Sequence, residues 1–214
     1  MTTQTALQDF MTVVRSRRSV RSYENVAISQ EELAEILETA ALAPSSSNLQ
    51  PWRFLIAHDT ESKKRLEAVV FDFNKQRLSE ASVGIVVLGD MKGYENADKI
   101  YSQAVEKGYM SEEMKNQFVG NLLGMYGSLP QEKLKDIVLV DGGLVSMQLM
   151  LAARAKGYDT LPMGGYDPVK LKEQFNIPEQ YVPIMILALG KAAQEGRPST
   201  RLPLEDITFW NKMN

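Results

Sequence analysis

Arginines near the start of the chain are the first residues whose type and spacing suit a definite chemistry. Four of them fall within Arg15–Arg21, which reads RSRRSVR, although the formal net charge of the chain is −3. A guanidinium can bind a phosphate through two parallel hydrogen bonds, and the hydroxyl of Ser19 adds a donor. This segment predicts a phosphate site, but a solvated basic helix end explains the same pattern equally well.

A second arginine segment lies near the other end of the chain. Arg197–Pro203 reads RPSTRLP, so Arg201 again stands among hydroxyls and rigid prolines. Two such segments could close on one phosphate group.

Two loops carry groups that could bind a ligand. Pro44–Trp52 reads PSSSNLQPW, which is rich in short donors and acceptors and has a proline near each end; taken alone, it is also compatible with a plain loop. Pro162–Asp167 reads PMGGYD and follows a predicted strand. A flat ligand could lie directly on the backbone of Gly164 and Gly165 and receive their N–H groups. From the glycines alone, an ordinary tight turn is the simpler interpretation.

Composition excludes several other chemistries. The chain has no cysteine, so disulfides, thiol catalysis and cysteine metal sites are ruled out. His58 is the only histidine, which rules out a metal site with several histidines and leaves it as a bystander. The acidic net charge argues against a general nucleic-acid partner. The N-terminal residues MTTQTALQDF show no basic stretch followed by an apolar core, so we expect a cytoplasmic protein.

The element that must position these groups is a long helix at about Gln131–Lys156. Its sequence is apolar almost everywhere after Ile137, whereas a surface helix has a polar face, so we expect it at the centre of the fold or at a subunit interface. A membrane span is disfavoured, because Asp141 interrupts a run shorter than the ~20 residues that a bilayer requires. The pair Gly142–Gly143 lowers helix propensity by roughly 1 kcal/mol per residue, which predicts close packing there, for example by the same helix of a second subunit.

Hydrophobic periodicity and turn signals predict the remaining elements of a single α+β domain. We expect helices at Leu7–Arg18, from the capping box at Ser29 to before Pro44, at Glu61–Val70 and at Pro168–Phe175, and strands at Arg53–Ala57, Ser82–Leu88, Tyr158–Pro162 and Val182–Leu189. The segment Asp90–Leu129 predicts two or three helices, either a wall over a substrate or a solvated insertion. No G-x-G-x-x-G follows a strand and no Walker A motif is present, so the usual dinucleotide and nucleotide sites are disfavoured.

Together the motifs resemble the FMN-dependent nitroreductase superfamily over nearly the whole chain, and specifically its bacterial NAD(P)H nitroreductases. No single motif is decisive, whereas their order and spacing are specific. The motifs are R-x-S-x-R at Arg17–Arg21, PSSxNxQPW at Pro44–Trp52, Asn-x-x-Arg at Asn74–Arg77, PxGGYD at Pro162–Asp167, a strand ending at Leu189–Lys191, and S-x-R-L-P at Ser199–Pro203.

The resemblance implies a nitroreductase-like fold in one domain, residues 1–214, with a central mixed β-sheet flanked by helices. It further implies a homodimer whose long helices pack at the interface and whose two FMN sites are shared between subunits. The helical insertion would lie at about 90–129. The tail at about 191–214, which carries Phe209 and Trp210, would embrace the partner subunit.

The resemblance also assigns roles to residues. Arg17, Ser19 and Arg201 would hold the FMN phosphate, and Arg21, Asn74 and Arg77 would meet the pyrimidine edge, where positive charge stabilises reduced flavin. The loop residues Pro44, Ser45, Ser46 and Asn48 would come from the other subunit. The backbone of Gly164 and Gly165 would face flavin N5.

Two departures from the family pattern affect these roles. Several members carry a glutamate at the position of Gly164, and some carry a lysine at the position of Ser199. The first difference leaves the face of the flavin less acidic and more open. The second removes one cation from the phosphate site, and Arg18 is the candidate replacement.

The implied activity is ping-pong transfer of hydride from NADH or NADPH through flavin N5 to a small acceptor such as a nitroaromatic compound or a quinone. No acid or base residue is required. The alternatives are another reaction on the same scaffold, such as dehalogenation or flavin cleavage, and a flavin-binding protein without turnover. The open face at Gly164 and Gly165 argues against the last of these.

Overall fold

A computed structural model describes residues 9–213, so the predicted helix start at Leu7 lies outside the described residues. The helices are α1 (Phe10–Ser16), α2 (Gln30–Ala40), α3 (Thr60–Glu67), α4 (Asp72–Glu80), α5 (Ala97–Glu106), α6 (Glu112–Gly127), α7 (Gln131–Ala155) and α8 (Pro168–Phe175). The strands are β1 (Trp52–Ala57), β2 (Val83–Asp90), β3 (Asp159–Met163) and β4 (Tyr181–Gly190). Short 3₁₀ helices occupy Ser46–Asn48, Gly93–Asn96 and Leu204–Asp206.

The four strands form one sheet in the order β1-β2-β4-β3, and every neighbouring pair is antiparallel. The predicted mixed sheet is therefore wrong. β2 and β3 follow one another in sequence but are not neighbours in the sheet, because β4 lies between them. The connection from β2 to β3 contains α5, α6 and α7. Among the described residues, a parallel contact occurs only as an isolated bridge between Ser19 and Thr160 at the β3 edge.

Helices cover both faces of the sheet, as predicted. Alternate side chains of a strand point to opposite faces, so Ile85 joins a core under α2 and α7, whereas Val86 joins a core under α3 and α8. A third cluster lies between α5, α6 and the start of α7, around Tyr126 and Leu134.

The long apolar helix is present, and α7 buries one face within the subunit. It is long and apolar enough to cross a bilayer, but 50% of its apolar window is buried inside the fold, as in the core helix of a globular domain. On its other face Val140, Leu144 and Met147 are 62%, 42% and 41% exposed. The described residues of the chain therefore leave an apolar stripe uncovered on α7.

The close packing predicted at the glycine pair in α7 is present at Gly142, where the chain's own sheet supplies it. A Cβ on Gly142 would overlap Cδ1 of Ile184, a residue of β4 in the same chain. Gly142 thus allows the helix to approach its own sheet. Gly143 faces open space, because a Cβ added there would meet no atom of the described chain within 4 Å.

Several predicted boundaries are confirmed, and one helix was missed. The capping box at Ser29 and Glu32 is formed, and α8 has the predicted bounds. The helix α4 was not predicted, because it is polar and buries only Asn74 and Leu78, which gives a weak periodic signal.

Candidate functional site

The arginine segment after α1 is fixed at both ends by other elements. Arg154 on α7 donates from Nε to Ser16 Oγ at 3.0 Å, and its Nη1 pairs with Asp159 on β3. Four residues beyond Ser16, the N–H of Val20 donates to the carbonyl of Thr160 at 3.1 Å. The intervening residues therefore have a defined position beside the edge of the sheet.

The C-terminal segment returns alongside this one. The N–H of Glu24 donates to the carbonyl of Lys191 at 2.8 Å, and the N–H of Ala193 donates to that of Ser22 at 3.0 Å. Further along the chain, Gly196 lies so close to Arg18 that a Cβ added to the glycine would overlap the arginine side chain. This pairing brings the second arginine segment over the first.

The two segments, together with α4, enclose a basic cleft of about 570 Å³. Its lining contains six arginines and no carboxylate of the described chain: Arg17, Arg18, Ser19, Arg21, Arg77, Arg197, Pro198, Ser199 and Arg201. The pKa of Arg17 is lowered, first by burial and then by repulsion from Arg201 and Arg18. An anion between these groups would relieve that repulsion, so the cleft is suited to a phosphate.

Three arginines of the cleft donate hydrogen bonds to oxygen atoms of neighbouring residues and still have other N–H donors. Arg18 donates to the carbonyl of Arg15 at 2.6 Å, and Arg21 donates to the carbonyl of Ser19 at 3.2 Å. Arg201 donates to Ser199 Oγ at 3.0 Å. Since a guanidinium carries five N–H donors, each retains several for a ligand.

A second cluster adjoins the cleft and contains the predicted flavin-edge residues. Arg77 Nη1 donates to Asn74 Oδ1 at 3.1 Å, and Asn74 Nδ2 donates to the carbonyl of Gly165 at 3.3 Å. Asn74 is only 3% exposed, so this amide has a fixed orientation. Because Arg77 also lines the cleft, the basic cleft and the Gly165 region form one continuous surface.

The glycine turn itself presents free backbone donors. Among the described residues, neither the N–H of Gly164 nor that of Gly165 donates a hydrogen bond. Neither glycine has a positive φ, since the glycines with positive φ are Gly108 and Gly157. Gly165 is tightly surrounded, because a Cβ would lie 3.0–3.2 Å from side-chain atoms of Phe73, Phe71 and Asn74, which would have to shift. Gly164 faces open space.

The loop at Pro44–Trp52, here called the serine loop, lies away from the basic cleft and contacts α7. Ser46 donates from its N–H and its Oγ to Asp141 Oδ1 at 3.0 and 3.1 Å. Asp141 precedes Arg154 by 13 residues on α7, a distance of roughly 20 Å along a helix that rises 1.5 Å per residue. The structure therefore does not bring Pro44, Ser45, Ser46 and Asn48 to the basic cleft of the same chain, and their role in a second subunit's site stays a prediction.

Some residues of these sites were not singled out by sequence reasoning. Arg197 lines the cleft, and its position in the same proline-bounded segment as Arg201 was the available signal. Tyr101 and Tyr126 hold the serine loop, which no local motif indicates. His58 contacts the carbonyl of Ile28 at 3.0 Å and lines neither the cleft nor the turn, in keeping with a bystander.

Comparisons with known proteins give one consistent picture. The model of the nitroreductase family matches residues 14–191. YdgI of Bacillus subtilis strain 168, which is named for NAD(P)H nitroreductase activity, is 48% identical over 204 residues, covering 94% of this chain and 97% of YdgI. The CLA biosynthesis enone reductase of Lactiplantibacillus plantarum is 35% identical over 195 residues, 90% of each chain.

Solved structures agree with the sequence matches. A structure from Exiguobacterium sibiricum, described as a nitroreductase in complex with FMN, superposes with a TM-score of 0.93 at 50% identity, covering 98% of this chain and 100% of that chain. A Staphylococcus epidermidis structure described as an NAD(P)H:FMN oxidoreductase gives 0.93 at 39% identity, covering 98% and 99%. With the matched family model spanning most of the chain, the protein belongs to the nitroreductase family.

Proposed function

We propose that the protein is an FMN-dependent NAD(P)H oxidoreductase that reduces nitroaromatic compounds, quinones or similar acceptors. The observation that carries this proposal is the six-arginine cleft, which continues through Arg77 and Asn74 to the free N–H groups of Gly164 and Gly165. One surface thus offers charge for a phosphate at one end and backbone donors for a flat ring at the other. Relatives described as an FMN complex and as an NAD(P)H:FMN oxidoreductase support the same function.

The residues present fit FMN. Arg17, Ser19 and Arg201 would hold the phosphate, whose two negative charges offset the repulsion that lowers the pKa of Arg17. Arg18 and Arg197 supply further positive charge where Ser199 replaces a lysine found in some family members. When bound, the flavin supplies the redox chemistry, taking hydride from NADH or NADPH at N5 and passing two electrons to the acceptor.

The other residues position the ring. Arg21 and Arg77 would place positive charge near the pyrimidine edge, and Asn74 would be fixed there by its bond to Gly165. The N–H groups of Gly164 and Gly165 would face N5, and the open side of Gly164 leaves space for the nicotinamide or the acceptor.

A homodimer is part of this proposal. Ser45 and Asn48 lie roughly 20 Å from the arginine cleft along α7, so the partner's loop would complete each site. The uncovered stripe on α7 and the exposed Phe209 and Trp210, at 54% and 81%, supply apolar surface for such an interface. We place the enzyme in the cytoplasm, where NADH and NADPH are available.

The test is anaerobic reduction of the purified, flavin-loaded protein. We expect the oxidised-flavin absorbance to be lost on addition of NADH or NADPH and to return when an acceptor is added. Protein that binds no FMN, or that binds FMN whose absorbance persists with both nucleotides, would overturn the proposal. The second result would favour a flavin-binding protein without turnover.

The acceptor is identified by reoxidation of the reduced protein in a stopped-flow instrument. The panel contains a nitroaromatic compound, a quinone, a halogenated aromatic compound and an enone, the last because one relative is named as an enone reductase. Reoxidation by a halogenated aromatic alone would point instead to dehalogenation on the same scaffold.

A further inference from the structure

The serine loop is held in a costly conformation. Ser47, Asn48 and Gln50 have φ values of 47°, 50° and 48°, and none of them is a glycine. The left-handed conformation costs an L-residue roughly 1–2 kcal/mol, so three such residues within four positions need compensating contacts. Strain of this kind persists only where the surrounding structure fixes it.

Three side chains from three different helices supply those contacts. Asp141 on α7 accepts from the N–H and the Oγ of Ser46 at 3.0 and 3.1 Å. Tyr101 on α5 donates from its hydroxyl to the carbonyl of Ser47 at 2.8 Å, and Tyr126 on α6 lies 3.2 Å from Ser47 Oγ. The loop is thereby joined both to the helical segment 97–127 and to the helix with the uncovered apolar stripe.

Asp141 is an unusual choice for a residue that only fills the core. Its side chain is 1% exposed, and Oδ2 has no hydrogen-bond partner among the described residues. A small cavity of about 10 Å³ beside it is lined mainly by apolar and aromatic side chains. A buried polar atom without a partner costs about 1–3 kcal/mol, so an apolar residue would serve the core better.

We propose that Asp141, Tyr101 and Tyr126 are positioning residues for the flavin, holding the Ser45–Gln50 loop in the conformation that completes the partner subunit's site. The inference rests on the proposed function, since it takes this loop as part of the FMN site. The two bonds to Asp141 hold the Ser46 side chain toward α7, so Ser46 positions the loop and does not itself contact the flavin as the resemblance implied. Ser45 and Asn48 are the loop residues expected to meet the flavin. The tyrosines make the position of the loop depend on the helical segment 97–127.

The experiment compares FMN affinity and hydrogen exchange in matched variants. Asp141→Ala removes the acceptor, whereas Asp141→Asn keeps a carbonyl oxygen that can accept both bonds from Ser46. Asp136→Ala, an exposed position on the same helix, is the control. Tyr101→Phe and Tyr126→Phe each remove one hydroxyl and keep the ring, so they test the loop even if Asp141→Ala does not fold; Tyr109→Phe, at an exposed tyrosine, is their control.

We expect the Kd for FMN to rise about tenfold in Asp141→Ala and about three- to tenfold in each tyrosine variant, because one net hydrogen bond is worth about 0.5–1.5 kcal/mol. Asp141→Asn should recover most of the loss, and the controls should match the parent. In the apo protein, peptides spanning residues 45–50 should exchange faster in Asp141→Ala and in the tyrosine variants.

The outcomes separate this inference from the proposed function. If the parent does not bind FMN, the proposed function fails. If the parent binds FMN and the folded variants bind it with the parent Kd and parent exchange rates, the positioning role is refuted while the function stands. A variant that melts earlier but keeps the parent Kd would assign these contacts to folding alone and would also overturn the inference.

Discussion

Gly164 and Gly165 are adjacent but differ in their surroundings, which makes them a matched pair for locating the flavin ring. A Cβ added at Gly164 meets no atom of the described chain within 4 Å, whereas one at Gly165 meets Phe73, Phe71 and Asn74. Gly164→Val should therefore leave the melting temperature of the apo protein unchanged and slow flavin reduction per bound flavin at least tenfold. Gly165→Val should lower both, since overpacking costs about 1–3 kcal/mol.

The measurements for the glycine pair are anaerobic reduction rates and apo melting curves. A Gly164→Val protein that reduces its flavin at the parent rate would place the ring away from this turn. The arginine cleft would then be the only remaining support for the site.

Arg201 tests the phosphate end of the same surface. It lines the cleft, and its charge contributes to the lowered pKa of Arg17. A hydrogen bond to a charged group is worth about 1.5–3 kcal/mol, so Arg201→Ala should weaken FMN binding at least about tenfold. Arg15→Ala, at an exposed arginine outside the cleft, is the control. Equal FMN dissociation constants for both variants in apo-protein titrations would remove Arg201 from the site.

The pKa of Asp141 predicts how the stability of the protein changes with pH. Burial is the largest influence and raises its pKa above 3.8, while the two bonds from Ser46 act in the opposite direction. Nearby groups lining the adjacent cavity are Asp90, Tyr94 and Tyr126. A carboxyl with a raised native pKa binds more protons in the folded state, so its contribution to stability is full below the unfolded pKa and is lost as pH rises through the native value.

The neutral variant Asp141→Asn isolates this contribution. The free energy of unfolding of the parent minus that of the variant should be largest below about pH 4 and should fall toward neutral pH. Denaturant unfolding at one protein concentration across this range measures it. A difference that grows with pH would mean that the fold favours the carboxylate.

At the scale of elements, α7 carries the apolar surface on which the proposed dimer would depend. Val140 is 62% exposed within an apolar stripe on the face that the sheet does not cover. If that stripe is the dimer interface, Val140→Asp would bury an unpaired carboxylate at a cost of about 3–5 kcal/mol, which weakens the dimer at least a hundredfold. Gln131→Asp, at an exposed position of the same helix, controls for the added charge. Sedimentation of both variants is the measurement, and a parent protein that is a folded monomer at micromolar concentration would refute the interface.

How far the sequence predicts these elements depends on how each one is stabilised. α7, β2 and β4 have strong apolar signals, and α2 and α8 have local caps, so they were predictable within about two residues. The helix α4 buries little besides Asn74 and Leu78 and was missed. Strand direction depends on long-range pairing, so the sheet was wrongly predicted to be mixed.

The candidate site likewise combines residues that local sequence predicts with contacts that only the folded chain brings together. The two arginine segments could be recognised locally, because guanidiniums and hydroxyls at short spacing suit a phosphate. That they share one cleft depends on the pairing of Glu24 with Lys191, which no local pattern encodes. The link from Ser46 to Asp141 spans 95 residues and is likewise a product of the folded chain.

At the scale of the whole molecule, charge is distributed unevenly. The chain has a net charge of −3, yet six of its arginines surround a single cleft whose described lining contains no carboxylate. The concentration of positive charge raises the local potential for anionic ligands, while the remaining surface stays acidic. A cleft of this size and charge suits a small phosphorylated ligand such as the proposed FMN.

If the two subunits share each FMN site, flavin binding and dimerisation must be thermodynamically linked. The loop that holds Ser45 and Asn48 lies roughly 20 Å along α7 from the arginines, so only the dimer would present both to one flavin. FMN would then bind the dimer more tightly than the monomer, and by reciprocity it must strengthen the dimer by the same factor.

FMN at about 100 times its Kd should also stabilise the protein by about 2.7 kcal/mol, and its removal should lower the melting temperature. Sedimentation of Val140→Asp, whose weakened dimer can be titrated, should show a lower dimer dissociation constant with FMN than without it. The same constant in both conditions, in a protein that binds FMN, would show that each flavin is bound by one subunit alone.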